Sequence, residues 1–183
     1  FSIGDWGGHD DNAPTTASEV ANGHGMQVAA EVLGRPEFVM LVGDNFYTHG
    51  IDGDVHSTRF QDTFENVFNG DALQCPFYAV AGNHDHFGNV TAQMAYSQIS
   101  TRWRFPKLWY TFSETTQARD GATFTTQVVY IDTVVLAGLS YVAEDGRVVA
   151  GAPHPLHNAR LRAEQLAWLE ATLAASTADY LWV

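Results

Sequence analysis

The sequence predicts an α/β fold in which the first half of the chain builds a parallel core and the middle adds mixed or antiparallel strands. Two observations carry this reading. Short apolar runs alternate with amphipathic stretches of helical period through residue 85, which reads as βαβαβ. Three β-rich runs then follow one another between residues 107 and 140, as strands of a meander would.

Taken in order, "FSIGD" (1–5) is a strand, residues 16–34 a helix, and "EFVMLVGD" (37–44) a second strand. "STRFQDTFENVFN" (57–69) spaces Phe60, Phe64, Val67 and Phe68 along one helical face. "PFYAVAGNHD" (76–85) is the third strand, and a short helix lies near "TAQMAYSQIS" (91–100). "KLWYTFSE", "TFTTQVVYID" and "TVVLAGLS" are the three β-rich runs, without helices between them. The Gly-, Pro- and His-rich stretch 141–158 reads as an exposed loop. "NARLRAEQLAWLEATLAAS" places Leu161, Leu166, Leu169 and Leu173 near one face of a long helix, and "DYLWV" then begins a strand.

Composition bounds the rest. With 183 residues, 45% of them hydrophobic, the chain is long enough for a real core and reads as one domain. A formal net charge of -12 repels phosphate backbones, which argues against nucleic-acid partners and against anionic membranes. No apolar run reaches the length of a membrane span. Cys75 is the sole cysteine, so no internal disulfide forms within these residues. Because the chain opens on Phe1 inside one strand-like run and stops inside another, residues 1–183 read as the N-terminal larger part of a single domain whose remainder follows Val183.

Function is carried by what ends the strands. "GDWGG" closes the first, "GDNFY" the second and "AGNHDH" the third, so Asp5, Asp44 and Asn83 emerge along the edge of a parallel sheet where active-site crevices form. Asp5 or Asp44 alone would be an ordinary turn or capping carboxylate; three such ends in succession are not. Carboxylates, an amide oxygen and the phenol of Tyr47, three residues after Asp44, favour hard cations, and a phenolate suits ferric iron. Asp44 has two carboxylate oxygens with which to bridge two ions.

These segments, with "RFQDTFENVF", "AGNHDHFGNVTAQMAYSQISTRWRFP" and "AEQLAWLEATLA", resemble the small, tartrate-resistant purple acid phosphatases of the metallophosphoesterase superfamily along nearly the whole chain. Asp5-Trp6-Gly7 lacks the histidine of the D-x-H motif common elsewhere in that superfamily, and Tyr47 is present, which is the purple acid phosphatase pattern. The resemblance implies an αββα sandwich of mixed sheets flanked by helices. It implies a dinuclear metal centre in which Asp5 and Tyr47 bind Fe(III), Asp44 bridges, and Asn83 binds Fe(II), Zn(II) or Mn(II). It further implies His84 as the catalytic histidine and hydrolysis of phosphate monoesters, phosphoproteins included. Two such ions clamp a phosphate and lower the pKa of a bound water, so that hydroxide attacks phosphorus in line. Asp85 is expected to orient the neighbouring imidazole of His84. His9, His49 and His86 are expected to line the cleft, and His24, His154 and His157 to be solvated.

Asn89-Val90-Thr91 is a glycosylation sequon, which with the resemblance points to the secretory pathway: secreted, lysosomal or vacuolar, with membrane anchoring left to any tail beyond Val183. The resemblance also expects three further histidine ligands after the "DYLWV" strand, none of which is in this sequence. Ala137 stands where the animal members carry a cysteine, which departs from their disulfide pattern. Two readings follow: a dinuclear acid phosphatase, or a noncatalytic, phosphatase-like structural or anchoring subunit of a larger assembly.

Overall fold

The computed structural model describes residues 1–118, 120–142, 147–150 and 155–183. Its first layer is parallel. Strand β1 (Ser2–Ile3) leads through helix α1 (Ala17–Leu33) to β2 (Val39–Leu41) and then to β3 (Phe77–Ala79). Helices α2 (Asn83–Phe87) and α3 (Val90–Tyr96) follow, and β4 (Trp103–Arg104) completes a sheet of order β1-β2-β3-β4. All three pairings are parallel, with Ile3 opposite Leu41, Leu41 opposite Ala79, and Phe77 opposite Trp103.

Local chemistry explains the boundaries. Thr16 and Glu19 form a reciprocal capping box at the start of α1, each side chain accepting from the other's backbone N–H at 3.1 Å. The amphipathic stretch after residue 57 folds as a π-helical segment, Phe60–Glu65, with the Asn66 N–H donating to the Gln61 carbonyl. Phe60, Phe64 and Phe68 are all turned inward. They pack with Trp6, Phe46, Phe77 and Trp103 through edge and tilted contacts of 5.1 to 6.4 Å between ring centroids. Trp6 and Phe46, just past the ends of β1 and β2, join this aromatic core to the loops that leave those strands.

The second layer joins β5 (Tyr110–Gln117) and β6 (Thr123–Tyr130), paired antiparallel. Next come α4 (Thr133–Ala137), the hairpin β7 (Ser140–Val142) and β8 (Val148–Ala150), helix α5 (Pro155–Ala175), and β9 (Tyr180–Trp182), which pairs parallel to β6. The sheets are joined face to face. Phe112 stacks on Tyr78 at 3.5 Å, while the hydroxyls of Tyr110 and Tyr130 donate to the carbonyls of Ala79 and Tyr78. The expected two-sheet α/β sandwich with mixed strands is thus the observed architecture.

Three local expectations are corrected. "TVVLAGLS" is not a strand: Asp132 caps α4 by accepting from the Val135 N–H at 2.8 Å, and Gly138 ends it in the left-handed conformation, φ 77°. β-Branched composition is overridden by those two caps. The expected loop 141–158 contributes to the β7–β8 hairpin and supplies the first turn of α5, so His157 falls in a helix; His154 lies outside the described residues. Finally, α5 buries Leu161 and Gln165, whereas Leu166 is 52% exposed. Its inward face thus keeps Leu161 of the expected leucine stripe and has Gln165 in place of Leu166.

Candidate metal centre

Asp5 and Asp44 leave neighbouring parallel strands two and three residues past the paired Ile3 and Leu41. Both adopt left-handed backbone, φ 53° and 50°, a region that Asp tolerates better than most residues because its short side chain bonds locally. Such outliers cluster where a site must aim its side chains. Tyr47 joins the two carboxylates: its hydroxyl lies 2.7 Å from Asp5 Oδ1 and 3.0 Å from Asp44 Oδ2. Burial, and then these two carboxylate contacts, push the phenol well above its usual pKa of 10.

The third strand end approaches Asp44 from the other side. The His84 backbone N–H donates to Asp44 Oδ1 at 3.0 Å. That approach requires Gly82, since a Cβ there would sit 2.2 Å from Asp44 Oδ1. Asp44 therefore has one oxygen toward Tyr47 and the other toward α2. Asn83 opens α2 with an exposed side chain. The His84 ring lies 4.4 Å from that of Tyr47, and its Nδ1 is 2.6 Å from the Thr48 carbonyl. A carbonyl only accepts, so Nδ1 carries the proton and Nε2 is left for other work.

Asp85 departs from its expected role. Its carboxylate is fully buried and does not touch the His84 imidazole. It accepts instead from the backbone N–H groups of Asn45, Phe46 and Gly82 at 2.8 to 3.1 Å, and from the side chains of Gln93 at 2.9 Å and Asn45 at 3.2 Å. Asp85 is thus the knot between the second and third strand-end loops, and burial pushes its carboxyl up to about 6 against the pull of those donors. The backbone amides of the two loops hold the Asp85 carboxylate, and the His84 ring is already bonded to the Thr48 carbonyl. His86 is also corrected: it is 1% exposed and lines no cleft. Its Nε2 meets Asp132 Oδ2 at 2.8 Å and its Nδ1 meets Ser140 Oγ at 2.7 Å, because the second layer closes over the far side of α2.

Arg59 was not singled out by the sequence, yet it ties the first loop to the second. Buried to 2% exposure, it donates at 2.9 Å to the carbonyls of both Gly7 and Tyr47, and to Thr63 and Asp11. The only sequence signal was its place at the head of the phenylalanine-rich segment. Thr48 acts through its backbone and left no signal at all. His9 and His49 are exposed beside the site, each lining a shallow polar hollow that includes Tyr47, and His24 is exposed on α1.

Among the described residues, no group of three or more His, Cys, Asp and Glu side chains is arranged to hold a metal. The donor set that is present, two carboxylates bridged by a phenol with an amide nearby, fits a hard cation in its chemistry. The calcineurin-like phosphoesterase profile matches residues 2–179. The chain belongs to that family. It is 42% identical to rat tartrate-resistant acid phosphatase type 5 over 186 residues, covering 100% of the chain and 53% of the relative. It is 40% identical to the human protein of that name over 184 residues, again covering 100% and 53%. Purple acid phosphatase 7 of Arabidopsis thaliana is 40% identical over 103 residues, covering 56% of the chain and 29% of the plant protein. The chain therefore spans about half the length of the animal relatives it matches. A solved structure titled GAP50, the anchor in the inner membrane complex of Plasmodium, shares the fold with a TM-score of 0.74 at 21% identity, covering 98% of this chain and 51% of that one.

Proposed function

We propose that this chain supplies Asp5, Asp44, Tyr47, Asn83 and His84 to the dinuclear centre of an acid phosphatase acting on phosphate monoesters, phosphoproteins among them. The observation that carries the reading is the position of Asp44, whose two oxygens face different partners, Tyr47 on one side and the head of α2 on the other. Asp5 and Tyr47 would hold Fe(III), Asp44 would reach both ions, and Asn83 would hold Fe(II), Zn(II) or Mn(II). When bound, the ion pair supplies the positive charge this acidic chain lacks and an activated water for attack on phosphorus. At acidic pH His84, as an imidazolium held through Nδ1–H on the Thr48 carbonyl, would present Nε2–H to the leaving oxygen and give it that proton as the P–O bond breaks, which leaves the neutral Nδ1–H ring. Identities of 40–42% to acid phosphatases favour this over the alternative, an anchoring role like that in the GAP50 title. The sequon at Asn89 supports a secretory route. Its side chain caps α3 through Ala92 and donates to the Gly53 carbonyl at 2.7 Å, so a glycan would have to leave one amide hydrogen for that bond. Among the described residues no helix is long and apolar enough to cross a membrane.

The test uses the complete natural protein loaded with iron and zinc, with an aryl phosphate at acidic pH. Turnover that Asp44→Asn abolishes is expected. A folded, metal-loaded protein with no turnover would favour the anchoring subunit instead.

A further inference from the structure

Helix α2 is five residues long, too short to hold its own direction, yet it carries both Asn83 and His84. Its near side is tied by Asp85 to the neighbouring loops. Its far side is tied by His86 to the second layer through a chain of buried bonds. His86 Nε2 donates to Asp132 Oδ2, Asp132 Oδ1 caps α4 through the Val135 N–H, and His86 Nδ1 meets Ser140 Oγ at the start of β7. The backbone of Asp132 is itself clamped by Gln165 of α5, whose amide accepts from the Asp132 N–H at 2.7 Å and donates to its carbonyl at 3.1 Å. His86, Asp132, Ser140 and Gln165 are each at most 1% exposed, which keeps this Ser-His-Asp set away from any substrate.

We propose that His86 is a positioning residue for His84: through Asp132 and Ser140 it sets the orientation of α2, and so the direction in which His84 presents Nε2. The proposal rests on the phosphatase reading only for its kinetic consequence. Two residues apart on one helical turn, the two imidazoles leave α2 in different directions, one to Thr48 and the cleft and the other into the second layer. A tilt of the turn therefore redirects the His84 ring, while Asp5 and Tyr47 stay where their own bond to one another holds them.

The experiment compares the complete natural protein with His86→Gln and the milder Ser140→Ala, on an alkyl phosphate and on dinitrophenyl phosphate. A poor leaving group needs the proton from His84, and a good one does not. The expected result for His86→Gln is a kcat loss of roughly 10- to 100-fold on the alkyl ester, with KM little changed and the dinitrophenyl ester within about threefold. Ser140→Ala should shift in the same direction by less, and it decides the matter if His86→Gln does not fold. Equal losses on both esters, or no loss on either, would overturn the proposal. If the wild-type protein hydrolyses neither ester, it is the phosphatase reading that fails. The ring nitrogens of His84 in the metal-free protein, followed by NMR, then decide. A tautomer no longer held at Nδ1–H in the folded variant supports positioning, and an unmoved ring overturns it.

Discussion

Tyr47 and Asp5, 42 residues apart in sequence, meet through a 2.7 Å hydrogen bond, and the same hydroxyl lies 3.0 Å from Asp44. One phenolic proton cannot serve two carboxylates at once, so one of the two acceptors is always underserved. Two carboxylates sharing one donor favour replacement of that proton by a cation.

The first prediction concerns the phenol itself. Tyr47→Phe in the iron-loaded, oxidised protein should abolish the visible charge-transfer absorption while leaving the thermal midpoint within a few degrees, since Tyr47 is only partly buried. An absorption spectrum checks it, and a variant that keeps its colour removes Tyr47 from the ligand set.

Gly82→Ala should damage the site more than the fold. The new Cβ would need space now held by Asp44 Oδ1, 2.2 Å away, and by the Asp44 backbone nitrogen, 2.4 Å away. The loop must shift, so metal affinity should fall at least tenfold while circular dichroism stays near native. Calorimetric titration with zinc measures this, and unchanged affinity would contradict it.

Asp85 predicts a large stability effect. Asp85→Ala strands the buried N–H groups of Asn45, Phe46 and Gly82 at once, and at about 1 to 3 kcal/mol for each unsatisfied group the loss should exceed about 3 kcal/mol. Asp85→Asn, which keeps one acceptor oxygen, should lose less. Urea unfolding of the metal-free protein orders the two, and the reverse order counts against the knot.

A fourth prediction concerns pH. Glu19, 2% exposed at the capping box of α1, has its carboxyl pushed up from 4.5 to about 7, chiefly by burial, against the Thr16 N–H bond. The folded state then binds more protons than the unfolded state between those values, so this stabilisation is complete below about pH 4.5 and is lost as pH rises through 7. Asp85, pushed from 3.8 to about 6, acts in the same sense over its lower window. The metal-free protein should therefore unfold more readily at pH 7.5 than at pH 5, and Glu19→Gln, which preserves the capping geometry, should flatten the upper part of that slope. An unfolding series in which Glu19→Gln leaves the slope unchanged would exclude Glu19 as its source.

Legibility in the sequence followed the range of the interactions involved. Alternation of apolar runs with helical periods placed β1, α1, β2 and β3, because side-chain period and backbone geometry are tied residue by residue. The strand-end residues Asp5, Asp44 and Asn83 could be read because a parallel sheet sends all its strand ends to one edge, whatever the loops then do. The same local logic misread "TVVLAGLS", where Asp132 and Gly138 at the ends outweighed the β-branched residues between them.

Tertiary structure alone decided which neighbours in sequence became neighbours in function. His84, Asp85 and His86 are consecutive, and no periodicity separates their roles. One ring is held at the cleft by a backbone carbonyl from residue 48, one carboxylate is drawn under the loops by amides from residues 45 and 46, and one ring is buried against residues 132 and 140. The sequence by itself determined that strong hydrogen-bonding groups would gather at the third strand end. Which partner each took depended on donors and acceptors 36 to 54 residues away: the pairing of β2 with β3 brought Thr48 to His84 and the loop amides to Asp85, and the packing of the second layer brought Asp132 and Ser140 to His86.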